Sequence, residues 1–410
     1  MIPILYDHFE TDFSSNGLGR LDECISCRVK GIVNGEYELE FQYPITGRLF
    51  QRLVNYGGVV CATHDHTGDV QPFDIYKYSA PTSGVVTFSA HHVSYRLSNL
   101  ICSGWKAGAT VALAGPTPAL FFEHIPPLAV TPNEFTFEDY SGYTPGYGFV
   151  NYDGYVSIRD ALLNGHRTDD PLTGSEALYK VFPGEFEWDG FKVKYYRRRG
   201  SNRGVQIRYG KNMTEVTRDR DVSGLVSSVF PFWIGTATAP GGQEGRVLVF
   251  GDRAYSSSCE VNFAEWNSAA DQMETPDGQP YFFGAADIRT ACVDFSQDFQ
   301  EKPTAAQLHE AALNWMVKNS TWRAFDNITV KFADLYNSPE YADFAGLELC
   351  SLGDYVNVYD PALGIVSENV EIVSLSYDVL TDSVIEMELG EIKTTFAQIL
   401  EMTLDGGLKA

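Results

Sequence analysis

Apolar and polar residues alternate through much of the chain with the period of two that half-buried β-strands require. The clearest case is "GLGRLDECISCRVKGIVNGEYELEFQY", residues 17 to 43. Two alternating runs, "ECISCRV" and "EYELEFQY", flank Asn34-Gly35, a pair of residues that tolerates positive φ, so the pattern predicts a β-hairpin. Pro44 ends the second strand because it has no N–H for the ladder. "GGVVCATH", "QPFDIYKYSA" and "GVVTFSAHHVSYRLSNL" continue the series, and the first hundred residues or so read as an antiparallel β domain.

From about residue 111 to 150 Pro, Gly and Tyr dominate and the period is lost, as in a long excursion or the entry to an inserted domain. "SIRDALLN" and "GSEALYKVFP" suit short helices, and "GEFEWDGFKVKYY" a strand pair turning at Asp189-Gly190. One long helix is predicted at 302 to 320, "KPTAAQLHEAALNWMVKNS". Thr304 is its N-cap with Gln307 three residues on, and Leu308, Ala312, Trp315 and Met316 share one face. "DNITVKFADLY", "LGDYVNVYDPALGI", "ENVEIVSLSYDVL" and "SVIEMELG" then alternate again, and "FAQILEMTL" suits a short helix. The pattern gives a β domain at 1–110, an inserted α+β domain at 111–205, a second region at 206–325 ending in the long helix, a β domain at 326–395 and a short tail at 396–410. The fold class is mainly β with α+β insertions.

Composition sharpens this picture in three ways. A chain of 410 residues exceeds one ordinary core, so several domains are expected. A formal charge of -24 predicts solubility and poor binding to free DNA or anionic membranes. No apolar run approaches the roughly 20 residues that span a bilayer, so no stable membrane insertion is expected. The start, "MIPILYDHFETDF", lacks the basic-then-apolar order of a secretory signal. Seven scattered Cys, an odd number, argue for reduced thiols made in a cytosol.

Against the acidic background, ten of the 30 Lys and Arg fall between Lys192 and Arg220, opposed there only by Glu215 and Asp219. This basic island is not a phosphate loop: five residues separate Gly204 from Gly210, and Asn212 follows Lys211 where a Ser or Thr is needed. Tyr195, Tyr196 and Tyr209 could stack on nucleic-acid bases, but "FKVKYY" and "GVQIRYG" read as ordinary amphipathic strands. A contact surface for an acidic neighbour, in the same chain or another subunit, fits the island better.

Other motifs fail in similar ways. "HEAAL" has Leu313 where a zinc-protease helix needs a second His, leaving His309 a solvated helix residue. "CISC" lies within an alternating run, which predicts Cys24 and Cys27 on opposite faces as structural cysteines. The best metal candidate is "HDH" at 64–66 with "HH" at 91–92; on a strand, His64 and His66 share a face and Asp65 opposes them. A surface turn and a backbone-paired strand His are the favoured explanation of these residues. No nucleophile elbow is present, and the many carboxylates carry no glycosidase signal. No catalytic, cofactor-binding or metal-ligating residue is expected, and the chain is not expected to be an enzyme.

"GEFEWDGFKVKYYRRRGSNRGVQIRYGKNMTEVTRDRDVSGLVSSVFP" resembles the central segment of phage tail-hub proteins, a family that includes minor structural proteins, tail-associated lysins and prophage endopeptidase tail proteins. "NGEYELEFQYPITGRLFQRL" and "FSAHHVSYRLSNLI" resemble its N-terminal hairpin and following strand, and "LGDYVNVYDPALGI", "SYDVLTDSVIEMELGE" and "IKTTFAQIL" its closing β domain. The resemblance implies a trimer of four-domain subunits, in which two β-barrel-like domains per subunit build a pseudo-hexameric ring. It implies a structural hub at the tail tip or baseplate of a virion or phage-derived particle, made in the host bacterial cytoplasm. The implied partners are the distal tail protein or tail tube ring, a tip, spike or receptor-binding protein, and the tape measure protein. DNA would pass the channel without specific binding. The alternative is a tail-associated cell-wall endopeptidase, metal-dependent through the His64, His66 and His91 region. The cell-wall-cleaving or receptor-binding domains of many relatives follow the hub module, and with the sequence ending at Ala410 none is expected here.

Overall fold

The computed structural model describes residues 1–8, 10–79, 84–106, 117–128, 133–144, 151–165, 177–221, 225–238, 244–255, 265–267, 272–274, 289–296, 298–299, 301–319, 321, 325–337, 349–363 and 365–390. Contacts divide the chain into two compact units. One comprises Met1–Thr217 with Ile328–Gly390, and the other includes Arg218–Asn327.

The first unit is mainly β. The predicted hairpin is present as Ser26–Ile32 and Tyr37–Pro44, with Asn34 alone of the turn pair at positive φ (53°). Asn34 does more than turn the chain. Its Nδ2 donates to the Gly184 carbonyl (2.8 Å) and its Oδ1 accepts from the Phe186 N–H (2.9 Å), so the turn is tied to a strand about 150 residues away. On one side of the hairpin Ile365–Asp378 pairs with Ser26–Ile32, and Ser383–Gly390 pairs with Ile365–Asp378. On the other side follow Val85–His92, Val70–Ser79, Val59–Thr63 and Ile4–Tyr6, each antiparallel to its neighbour. Late strands therefore complete a sheet that early strands begin.

Register carries the alternation across this sheet. Tyr377, Val29, Leu39 and Ala90 lie opposite one another in turn, and all are buried. One layer on, Phe41 faces Phe88 with the rings stacked 5.0 Å apart, both fully buried. Burying each ring contributes about 2–3 kcal/mol, and a one-residue slip would turn the whole set outward.

Three sequence expectations need correction here. "ECISCRV" does not form a strand throughout: pairing begins at Ser26, because Cys24 closes a turn through its N–H to the Leu21 carbonyl (3.1 Å). The run through "HHVSYRLSNL" stops at His92, whose ring Nδ1 accepts from the Ser94 N–H (3.2 Å) and caps the 3-10 helix Val93–Ser98. Within the 111 to 150 excursion, Pro118–Leu128 is helical. Pro118 suits the first helical position, whereas Pro126 and Pro127 near the end disguise the helix in sequence. Phe121 and Phe122 of this helix are buried, Phe122 against Phe137 (5.6 Å) and Tyr195 (6.2 Å). The expected short helices are present at Ile158–Leu163, capped by Ser157, and at Leu178–Val181.

The second unit is built on Ser228–Thr238, antiparallel to Glu244–Phe250 and parallel to Thr290–Asp294. The long helix runs Ala305–Lys318 and carries the expected capping box: Thr304 Oγ1 accepts from the Gln307 N–H, and Gln307 Oε1 accepts from the Thr304 N–H. Leu308, Ala312 and Met316 bury against Val229, Trp233, Val293 and Phe295. The Trp233 indole N–H is satisfied by the Phe299 carbonyl (3.0 Å), so its burial leaves no orphan donor. The "FAQILEMTL" segment lies outside the described residues.

Candidate functional site

The histidines singled out for metal binding do not converge. The strand ahead of them ends at Thr63, so residues 64–66 lie in the loop that follows, and the alternation argument for a shared face does not apply. His64 is held by the Asp69 carbonyl (3.3 Å at Nδ1) and the Asp65 carboxylate (3.5 Å at Nε2). His91 is sandwiched between the rings of Tyr76 (4.8 Å) and Tyr95 (4.7 Å). His92, fully buried, meets Gln71 Oε1 through Nε2 (3.2 Å) and stacks on Tyr37 (4.7 Å). Burial away from water pushes its pKa well down, so the ring is neutral. Among the described residues no group of three His, Cys, Asp or Glu could hold a metal ion. His309, on the helix, meets the Asp252 carbonyl (3.1 Å).

His66 has a structural task that sequence reasoning missed. Its side chain is fully buried, with Nε2 donating to Asp334 Oδ2 (2.7 Å) and the ring stacked on Tyr336 (4.1 Å). Asp334 also accepts from the Val384 N–H (2.7 Å) and the Tyr336 N–H (3.0 Å). Burial alone would push the Asp334 carboxyl up, but these hydrogen bonds outweigh it and hold it below the usual range. Asp382, at positive φ (57°), accepts from the Tyr377 hydroxyl, and its backbone carbonyl accepts from Asn337 Nδ2 (2.7 Å). A loop near residue 65, the segment after residue 332 and the turn before residue 383 are thereby latched together. Asp334 lies 268 residues from His66, a separation no local pattern displays.

Six of the ten cations of the basic island, all in the first unit, are stacked, paired or hydrogen-bonded. Asp189-Gly190 makes the expected turn between Glu185–Asp189 and Lys192–Tyr196, with Gly190 at φ 56°. Lys194 Nζ sits between Glu187 and Asp189, 2.9 Å from each. The Arg197 guanidinium lies over Tyr143 (4.3 Å), Arg198 over Tyr355 (5.4 Å) and Arg208 over Tyr359 (5.0 Å). Arg199 donates to the Phe186 carbonyl (3.2 Å), and Arg203 Nε to Asp354 Oδ2 (3.0 Å). The acidic and aromatic partners thus come from the same chain, many of them from the closing strands. Val193, Tyr195, Val205 and Ile207 form the buried face, as amphipathic strands require.

Two further features lie beside the island. Gly200 is pressed against the backbone at residue 353: a Cβ on it would sit 1.8 Å from the Gly353 carbonyl oxygen. A cavity of about 250 Å³ is lined by Tyr37, His64, Lys194, Arg199, Arg203 and Asp354 among others. On its wall Lys194 pairs with Glu187 and Asp189, and Arg203 with Asp354. Close by, Glu371 is pushed up to about 7, first by burial and then by the charge of Glu185, with Arg198 and Arg199 opposing. Glu185, which accepts from the Arg199 N–H (2.9 Å), is raised by burial. The arrangement offers paired charges and stacked rings.

The fold is similar to that of phage tail proteins. It matches a prophage tail protein, gp18, from Listeria monocytogenes EGD-e with a TM-score of 0.51 at 14% identity, covering 99% of this chain and 100% of that one. It also matches the 43 kDa tail protein of prophage MuSo2 from Shewanella oneidensis, with a TM-score of 0.52 at 10% identity over 95% and 97% of the two chains. The kinship is one of fold; no protein-family model and no curated protein matches the sequence.

Proposed function

We propose that the protein is a non-enzymatic structural hub at the distal end of a phage tail or a phage-derived particle. The observation that carries this reading is the end-to-end fold match to two prophage tail proteins, with no large part of the chain unaccounted for. In this reading the subunit assembles as a homotrimer and joins the tail tube or distal tail ring to a threefold tip or spike. Two β-barrel-like domains per subunit, with the four-part division at 110, 205 and 325, build the ring of pseudo-sixfold symmetry. The formal charge of -24 per chain, tripled in a trimer, gives a channel wall that repels DNA and lets it pass unbound. The inward partners of the basic island support a structural role, since six of its ten cations are stacked, paired or hydrogen-bonded within the chain.

Light scattering with negative-stain imaging tests the proposal. A trimeric ring with a central opening is expected, or a monomer that becomes ring-shaped on adding the cognate distal tail ring. A monomer indifferent to that ring would sink the hub reading.

A further inference from the structure

The C-x-x-C segment differs from a pair of inert core cysteines. Cys24 sits in the turn before Ser26–Ile32 and is only partly buried, whereas Cys27, on the strand, is fully buried. The Ser26 peptide, whose carbonyl Cys24 Sγ meets, leads directly into Cys27, so the outer sulfur sits beside the inner residue. Cys24 Sγ also lies 3.1 Å from the Ser26 carbonyl and 3.3 Å from the Gln42 carbonyl, which fixes the sulfur above the start of the hairpin. An accessible outer thiol against a buried inner one is the arrangement of an attacking and a resolving cysteine.

We propose that Cys24 and Cys27 are a dithiol that closes to an intramolecular disulfide by exchange with a small-molecule disulfide such as oxidised glutathione. The Cys24 thiolate attacks one sulfur of the reagent, whose S–S bond breaks and releases one glutathione thiolate, which takes a proton. Cys27 then gives its proton to water and attacks the Cys24 sulfur, expelling the second glutathione. Two protein thiols are oxidised by two electrons and one small disulfide is reduced to two thiols. The order of attack follows from access, and is supported by the Cys24 thiol being lowered by its hydrogen bond from Cys27 while Cys27 is raised by that same bond and by burial. Closure would pin the Leu21–Cys24 turn to the first residues of the central hairpin. This inference rests on the geometry of the first unit and stands or falls independently of the tail assignment.

The test uses the intact native protein, incubated with oxidised glutathione and quenched with N-ethylmaleimide before trypsin. Cleavage after Arg20 and Arg28 places both thiols in one peptide, "LDECISCR". The expected peptide is unlabelled and two hydrogens lighter than its reduced form, and dithiothreitol restores double labelling. Cys27→Ser should trap glutathione on Cys24, and Cys24→Ser should leave Cys27 unmodified until the protein is denatured. The exposed Cys292 provides an internal control that the reagent is active. A doubly labelled peptide, or one in which Cys24 keeps glutathione while Cys27 takes the label, overturns the proposal.

Discussion

The His66 latch and the arginine turn, the part of the basic island from Arg197 to Arg208, perform the same task by opposite physical means. Each ties segments far apart in sequence within the first unit. The latch uses a fully buried ring and a carboxylate held by three donors, with little room to rearrange. The arginine turn spreads its connections over exposed cations, three of them stacked on a ring and Arg203 paired with the buried Asp354. A buried pair loses most when one partner is removed, because the other is left charged or orphaned without solvent. An exposed contact is replaced by water and loses little. The difference teaches that the densest cluster of charge in the sequence is the more tolerant of the two regions.

The largest expected effect is therefore Asp334→Ala. It leaves the His66 Nε2–H, the Val384 N–H and the Tyr336 N–H without acceptors, and should cost about 3–5 kcal/mol. Urea denaturation followed by tryptophan fluorescence measures it, and a loss below that of any arginine substitution would reverse the comparison. Gly200→Ala comes next and probes the arginine turn at the point where it is not tolerant. Its Cβ would meet the Gly353 carbonyl at 1.8 Å, so one backbone must move, at about 1–3 kcal/mol or more. Wild-type stability for this variant would mean that the two backbones are not in contact.

These two sites show what was legible in the sequence. The hairpin at Asn34-Gly35, the turn at Asp189-Gly190 and the capping box at Thr304 were readable because each signal lies within a few residues. The helix Pro118–Leu128 was hidden by Pro126 and Pro127, which lack the N–H a last turn needs; only Pro118, at the first position, suits a helix. The mistaken pairing of Cys24 with the strand came from extending an alternation past the turn that ends it. Non-local partners left no trace. His66 looked like a metal ligand since its neighbours in sequence are His64 and Asp65, whereas its true partner is Asp334. Likewise an acidic counterpart for the basic island could be anticipated by charge, but not its source in Glu187, Asp189 and Asp354.

An intermediate effect, dependent on pH, is expected at Glu371. Its carboxyl is pushed up to about 7 from 4.5, so between those values the folded protein holds a proton that the unfolded chain has released. Protonation then favours folding: the stabilisation is full below about pH 4.5 and is lost as pH rises through 7. Solvent screening at this partly exposed site limits the change to about 1–2 kcal/mol. Glu371→Gln should flatten the profile in that window and leave the protein more stable than wild type at pH 8. A profile unchanged by the substitution would mean that the Glu371 carboxyl is not raised in the folded protein.

The smallest effect should come from Arg197→Ala and Arg208→Ala, which remove the contacts over Tyr143 and Tyr359. A half-exposed cation over a ring contributes about 0.5–1 kcal/mol, and each contact is independent of the other because they use different rings. The double variant should thus lose about 1–2 kcal/mol, with little dependence on which substitution is made first. Arg203→Ala offers the contrast within the turn, because its partner Asp354 is nearly buried while Arg203 itself is exposed. Asp354 keeps the N–H donors of Ser201 (2.8 Å) and Ser351 (3.1 Å), which soften the loss. Arg203→Ala should accordingly fall between the stacked arginines and Asp334→Ala. A double Arg197→Ala, Arg208→Ala loss of 3 kcal/mol or more would show that the arginines act as one cooperative unit, and the contrast with the buried latch would then be one of position and no longer of strength.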